Sequence, residues 1–470
     1  MARIQRWWWP LYVFLYPLLF IPWELNVLES NYAGHVALTL LFLGVGGLME
    51  GLSHPHLSAG SLRHLPGLLW AYKPVLAGLL LGIWAVVAAF FTAEPTFALM
   101  GTLPKDGGGA LHILALALMF ALIVVQALRD RGLVARLIGA MVLSGAVLAG
   151  LGVVEAVFRH GLIYPLDAGL FPRVTLPQRG HYAGFLTLSL ALALGLWLRN
   201  PRWAGAVIPL TAFAIGLTLT RTAIFAALLA GAAGVLFSRF SRNSVLALIL
   251  VALGLGGGMR LIETLNTTRS DSSAQVRKDF ADGTTGATRL IYWQTALRGI
   301  MAQPVFGWGA GGFDYVFPNY MTREEIENYL RLELGFKQFV ELINTPGAPP
   351  IFVVKDQEDK TQLHSSILWK CHNQFLDLGL RLGWPGLILY LLLLLSTWRS
   401  LLQLKPAALA LWVHHAFLFF WFVPFHTEGV VWVLMACAVL EGIKQKQAAR
   451  QDKPAAQPVA VGLPQPTRKY

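Results

Sequence analysis

Twelve times between Trp7 and Ile443 the sequence returns to an apolar run about as long as a bilayer is thick. The hydrocarbon core is about 30 Å across, so a spanning helix takes about 20 residues, with roughly 17–25 usual. The runs are roughly 7–27, 33–50, 74–93, 109–128, 134–155, 181–198, 203–220, 222–238, 244–262, 375–398, 407–425 and 428–443. The seventh and eighth are short and are parted only at Arg221. Charged residues make up 13% of the 470, about half of the roughly 25% carried by soluble domains. That excludes a soluble enzyme and a disordered chain. The expected fold class is therefore an all-α polytopic membrane protein of about 12 transmembrane helices. The basic flank Met1–Arg6 followed by Trp7-Trp8-Trp9 reads as the interfacial edge of a retained first span, not as a cleaved leader.

Basic residues orient such a chain, because they concentrate in short cytoplasmic segments. With the N-terminus inside, Arg3, Arg6, Arg63, Lys73, Arg129, Arg131, Arg136, Arg199, Arg202, Arg239, Arg242, Arg399 and Lys405 all fall on the inner side. The tail adds Lys444, Lys446, Arg450, Lys453, Arg468 and Lys469, giving nineteen of the 37 basic residues, with both termini cytoplasmic. The net charge of +12 is thus a topology signal and not a nucleic-acid footprint. Segment 263–371 holds 11 basic and 13 acidic residues and is too long for a mere connector. Within it, Thr322-Arg323-Glu324-Glu325 is a capping box. The apolar residues Ile326, Tyr329, Leu330, Phe336, Phe339, Val340 and Ile343 then predict an amphipathic helix over 322–343. The expected organisation is nine spans in 1–262, a mostly helical external domain in 263–371, three spans in 372–445, and a disordered cytoplasmic tail in 446–470.

Against the charge bias, Arg173, Arg179, Arg221 and Arg289 lie on the outer side. One arginine at a helix end can simply snorkel to headgroups. Four on one side favour an anion site, because guanidinium binds phosphate oxygens in bidentate fashion. His372-Asn373 stands at the mouth of the tenth run, where free helix N–H groups favour an anion and a histidine can accept a proton at neutral pH. The alternative for a lone histidine is a helix-entry residue bonded to a loop carbonyl. His54, His56 and His64 fall inside and His414-His415 within the eleventh run, so no zinc-like ligand set stands outside. Cys371 and Cys437 are too far apart in sequence and character to suggest a disulfide. Glu24 and Glu29 read as solvated termini. Asp314, after the glycine run Gly307–Gly312, and His181 are secondary candidates. No metal and no cofactor is expected.

Taken in order, these motifs resemble the O-antigen ligase and polymerase superfamily. His372-Asn373 with Gly383-Trp384-Pro385-Gly386 is similar to its signature. Arg289-Leu290-Ile291-Tyr292-Trp293 followed by Pro304-Val305-Phe306-Gly307-Trp308-Gly309 is similar to its Arg-x-x-x-Trp and Pro-x-x-Gly-x-Gly pattern, and Leu219-Thr220-Arg221-Thr222 resembles its Ser/Thr-Arg turn. The likeness covers about 165–440. It departs where the family often shows an Asn-Pro-Asn-like stretch; here stands Gln178-Arg179-Gly180-His181-Tyr182.

The resemblance implies transfer of a glycan from an undecaprenyl-diphosphate carrier to an acceptor hydroxyl at the periplasmic face of a bacterial inner membrane. It implies His372 as base, with Asn373 beside it, and arginines stabilising the diphosphate leaving group without a metal. The acceptor would be lipid A-core for a ligase, a carrier-linked glycan for a polymerase, or a protein serine for an O-oligosaccharyltransferase. A carrier-lipid flippase is the reading from another class. It would also use outer arginines, but the chain lacks the matching broken helices of inverted repeats.

The orientation makes a direct prediction. In intact spheroplasts, a cysteine replacing Glu327 reacts with an impermeant thiol reagent, and one replacing Asp130 reacts only after lysis. The reverse labelling would overturn the assignment of sides.

Overall fold

The computed structural model describes residues 2–20, 27–53, 72–102, 107–130, 132–164, 166, 171–200, 204–267, 284–345, 350–365 and 370–451. Helices dominate. In chain order they are α1 (Ala2–Leu15), α2 (Val27–Ser53), α3 (Lys73–Ala89), α4 (Pro95–Met100), α5 (Ala110–Arg129), α6 (Leu133–Phe158), α7 (Arg179–Trp197), α8 (Val207–Leu217) and α9 (Arg221–Phe237). There follow α10 (Arg242–Thr267), α11 (Thr284–Ala302), α12 (Gly312–Asn319), α13 (Arg323–Glu333), α14 (Gln374–Leu395), α15 (Trp398–Leu401), α16 (Pro406–Leu418) and α17 (Phe425–Gln451). A described helix overlaps each of the twelve apolar runs. Among the described residues, seven are long and apolar enough to cross a membrane, and Lys73–Ala89, Val207–Leu217, Arg221–Phe237 and Pro406–Leu418 are shorter apolar helices. The chain is a helical membrane protein. Composition predicts loss of structure from 446, yet α17 continues to Gln451; the rest of that tail, like Glu24, His54, His56 and His64, lies outside the described residues.

Glycines set how closely the bundle packs. A Cβ at Gly254 would lie 2.7 Å from the Pro209 carbonyl oxygen, and Cβ atoms at Gly216 and Gly258 would also run into backbone of the facing helix. The small-residue stripe lets α8 and α10 touch backbone to backbone. Just beyond that contact the chain turns at Thr220-Arg221, where α9 begins. Helix α7 is the most enclosed of the seven long helices, with 94% of its apolar window buried.

Helix α14 is broken. Gly383 sits at φ 68° and ψ −176°, a conformation that glycine alone adopts without strain, and Pro385 follows with no N–H to give. The carbonyls of Leu380 and Arg381 therefore lose their partners one turn on. The loop after α11 supplies replacements: Trp308 N–H donates to the Leu380 carbonyl at 2.8 Å and Gly309 N–H to that of Arg381 at 3.1 Å. In return Trp384 N–H donates to the Pro304 carbonyl at 2.8 Å, and Trp84 Nε1–H reaches the Leu382 carbonyl at 2.8 Å. The two glycine motifs are thus the two halves of one joint. A Cβ at Gly307 would lie 2.6 Å from the Leu380 carbonyl oxygen.

The segment between α10 and α14 has its own core, in which Tyr292 and Ile300 of α11, Phe317 of α12, Tyr329 of α13 and Phe352 pack together. One expectation fails here. Helix α13 begins at its Thr322 capping box as the sequence indicates, but it ends at Glu333 instead of running to 343. Gly335, at φ 69°, turns the chain. Residues Gln338–Ile343 form β3 of an antiparallel sheet, and a two-stranded pair, β1 (Gly101–Thr102) with β2 (Gly107–Gly108), lies earlier in the chain. Strand β3 pairs with β4 (Ile351–Lys355), which pairs with β5 (Thr361–Ser365). Phe339 and Val340 sit beside a register shift in β3. Phe339 is buried there, whereas Val340 is exposed.

The joint gives a stability prediction. Gly383→Ala forces a side chain into a left-handed position against the Val305 carbonyl, and should cost about 2 kcal/mol or more. Thermal unfolding of the purified variant in detergent checks this, with Gly286→Ala, a glycine with open space around it, as the tolerated control.

Candidate functional site

His372 is held in a turn just before α14, at φ 54°. Its Nδ1 lies 3.1 Å from the Lys370 carbonyl oxygen. A carbonyl can only accept, so Nδ1 carries the proton and Nε2 remains the basic nitrogen. The ring stacks on Tyr292 at 5.9 Å and meets Trp421 and Phe422 edge-on at 5.3 and 5.5 Å. Asn373 serves the helix instead. Its Oδ1 accepts from the backbone N–H groups of Phe375 at 3.0 Å and Leu376 at 3.1 Å, which makes it the N-cap of α14.

Arg289 stands one turn before Tyr292 on α11, with its guanidinium 5.8 Å from the Trp421 ring centre. Burial lowers its pKa, and the like charge of Arg221 adds to that, so the two arginines are electrostatic neighbours although they come from different helices. Burial pushes His372 down to about 4, with the Arg289 charge acting in the same direction and Asp377 opposing it. The imidazole is consequently neutral at physiological pH. His181 faces the same aromatic pair, 5.3 Å from Phe422 and 6.1 Å from Trp421. Neither of its ring nitrogens has a hydrogen-bond partner among the described residues. His372 and His181 are therefore gathered around Trp421 and Phe422, with Arg289 beside Trp421 and Arg221 a neighbour of Arg289.

Arg173 lies in the loop that leads into α7, and Arg179 is the first residue of that helix. Arg173 donates to the Pro177 carbonyl at 2.7 Å and lies over Tyr164, and Arg179 lies 4.2 Å from the Phe171 ring centre. Buried Glu155, near the end of α6, organises this loop: its two oxygens accept from the backbone N–H groups of Leu162 at 2.8 Å and of Arg173 and Val174 at 3.0 Å each. Asp314 lies in the first turn of α12 beside Tyr315, whose hydroxyl donates to Glu94. The carboxylate that acts on His372 is instead Asp377. Among the described residues, no group of three His, Cys, Asp or Glu side chains is placed to hold a metal ion.

Residues 204–391 match the family model described as O-antigen ligase, Wzy_C. This stretch is similar to the O-antigen ligase family. No curated protein matches the sequence. The ligase match takes in Arg221, Arg289 and His372, and it leaves Arg173, Arg179, His181 and Trp421 outside its bounds. That similarity points to a glycosyltransferase-like enzyme of the ligase or polymerase kind.

Sequence reasoning misses several members of the site. Trp421 and Phe422 fall inside the apolar run 407–425, whereas α16 stops at Leu418 and the aromatic pair lies in the turn before α17. Lys370 and Asp377 form a buried ion pair at 3.1 Å, with side chains 5% and 4% exposed. The available signal was Asp377 and Arg381 four residues apart inside an apolar helix, where an ionisable group needs a partner or a purpose. Glu155 offered the same signal near the end of its own run.

Removing the Glu155 carboxylate would strand three backbone donors. Glu155→Ala should therefore lose about 2–4 kcal/mol and open the loop that carries Arg173. Thermal unfolding, with limited proteolysis between residues 159 and 178, measures both effects.

Proposed function

We propose that the chain transfers a glycan from an undecaprenyl-diphosphate carrier to an acceptor hydroxyl at the periplasmic face of a bacterial inner membrane. The supporting observation is a neutral histidine beside Arg289, which has Arg221 from a separate helix as its electrostatic neighbour. In this reading twelve helices cross the membrane, both termini are cytoplasmic, and 263–371 forms the periplasmic domain. The donor diphosphate lies against Arg221 and Arg289, with Arg173 and Arg179 along its approach.

The acceptor hydroxyl gives its proton to His372 Nε2 while its oxygen attacks the anomeric carbon. The bond from that carbon to the diphosphate breaks, and its electron pair goes to the departing phosphate oxygen. Charge grows there, and fixed guanidinium groups in a dry site stabilise it without reorganising. Attack opposite the leaving group inverts the anomeric centre. A positioned base contributes about 10²–10⁴-fold. An imidazole held near pKa 4 would be a weak one, but a bound diphosphate offsets the repulsion from Arg289 and raises it toward working pH. Lipid A-core is the acceptor we place first, a carrier-linked glycan second and a protein serine third. A carrier-lipid flippase would use the same arginines but would need no base.

Reconstitution with purified lipid-linked donor and each acceptor in turn, read by product mass, tests the reaction. His372→Asn keeps size and a hydrogen bond but no useful basicity, and should abolish transfer while donor binding persists. Arg289→Lys keeps charge without the planar fork and should lose most activity. For the wild type, kcat/KM reports the free enzyme and should fall only as pH drops toward about 4. The limb in kcat, which reports the donor-bound state, should lie at higher pH. High activity of His372→Asn would sink the base role.

A further inference from the structure

His372 occupies a backbone conformation that costs a non-glycine residue about 1–3 kcal/mol, so its surroundings must hold it there. Four things touch that turn. The Asn373 cap secures the start of α14, and the Lys370 carbonyl accepts a hydrogen bond from Nδ1–H. Tyr292 and Trp421 wall the ring. The fourth is ionic: Lys370 Nζ reaches Asp377 Oδ2 at 3.1 Å across the first turn of α14, and Arg381 Nη1 stands 4.0 Å from the same oxygen while its other nitrogen donates to the Gly108 carbonyl.

A buried ion pair is poor at adding stability, because desolvating both charges offsets most of their attraction. Its stronger effect is on conformation. This pair spans seven residues, and the residue that supplies its cation also supplies the carbonyl that orients His372. We propose that the Lys370–Asp377 pair is a positioning device for the base: it fixes the Lys370 carbonyl, hence the Nδ1–H tautomer and the direction of Nε2. The inference rests on His372 being the base. Other charged or titratable groups that face the imidazole are Arg289 and Tyr292 from α11 and His181 from α7. None of these is joined to the turn by a covalent path as short as that of Lys370.

The test uses the full-length protein in proteoliposomes. Lys370→Gln combined with Asp377→Asn exchanges the ion pair for an amide hydrogen bond with no change in net charge. We expect kcat to fall about 10–100-fold, as for a reacting group moved by about an ångström, with donor KM within about twofold. We also expect the acid limb of kcat/KM to move to lower pH, because Asp377 favours the protonated imidazole. A merely structural pair would lower yield or melting temperature and leave the kcat of the folded fraction as in wild type; that result overturns the proposal. Should the double variant fail to fold, Asp377→Glu keeps the charge and displaces the carboxylate by one methylene. Reduced kcat with unchanged donor KM then supports positioning, and wild-type kcat refutes it. His372→Asn, run alongside, separates the two readings. An active His372→Asn removes the base role itself, whereas an inactive His372→Asn beside a fully active pair variant removes the positioning role alone.

Discussion

Backbone groups freed inside a membrane bundle must find partners within the protein, since no bulk water is available to solvate them. Here that requirement is met at the break in α14. Gly383 and Pro385 release the carbonyls of Leu380 and Arg381, and Trp308 and Gly309 take them up. The exchange fastens the loop after α11 to α14, and with it α11 itself. Arg289 and Tyr292 reach His372 because their helix is anchored by this joint to the helix that His372 precedes. A glycine motif that looks like a ligand-binding loop is thus the fastening that builds the site.

The second constraint is electrostatic. Two arginines held near each other repel, and burial makes Arg289 less comfortable as a cation. An anion relieves both penalties, which is a physical reason to expect a diphosphate there. The same charge on Arg289, together with burial, keeps His372 unprotonated. Cation and imidazole can then stand side by side without the imidazole losing its lone pair.

Much of this is legible in the chain. Arg221 and His372 stand out because each is polar at the edge of an apolar run, where its presence needs a reason, and Arg289 because it is an outer-side arginine against the charge bias. Asn373 draws notice for its place beside His372, yet its oxygen is spent on the helix cap. The helix expected over 322–343 is half right: Thr322 and Glu325 mark its start locally, whereas its end depends on Gly335 and on strand pairing with Ile351–Lys355. Trp421 is hidden because an aromatic residue in an apolar stretch looks the same within a helix or just beyond one.

By itself the sequence determined that this protein lives in a membrane, where its helices lie, and which residue types crowd one family of turns. Those are local properties, written in hydrophobicity and charge over windows of about 20 residues. Only the tertiary structure decided that Arg221 neighbours Arg289, that Trp421 and Phe422 stand between His181 and His372, and that Lys370 pairs with Asp377 beside the imidazole. The reason is that a buried charge or an unpaired carbonyl is satisfied by whatever group packing brings near, and windows of sequence do not show which group that is.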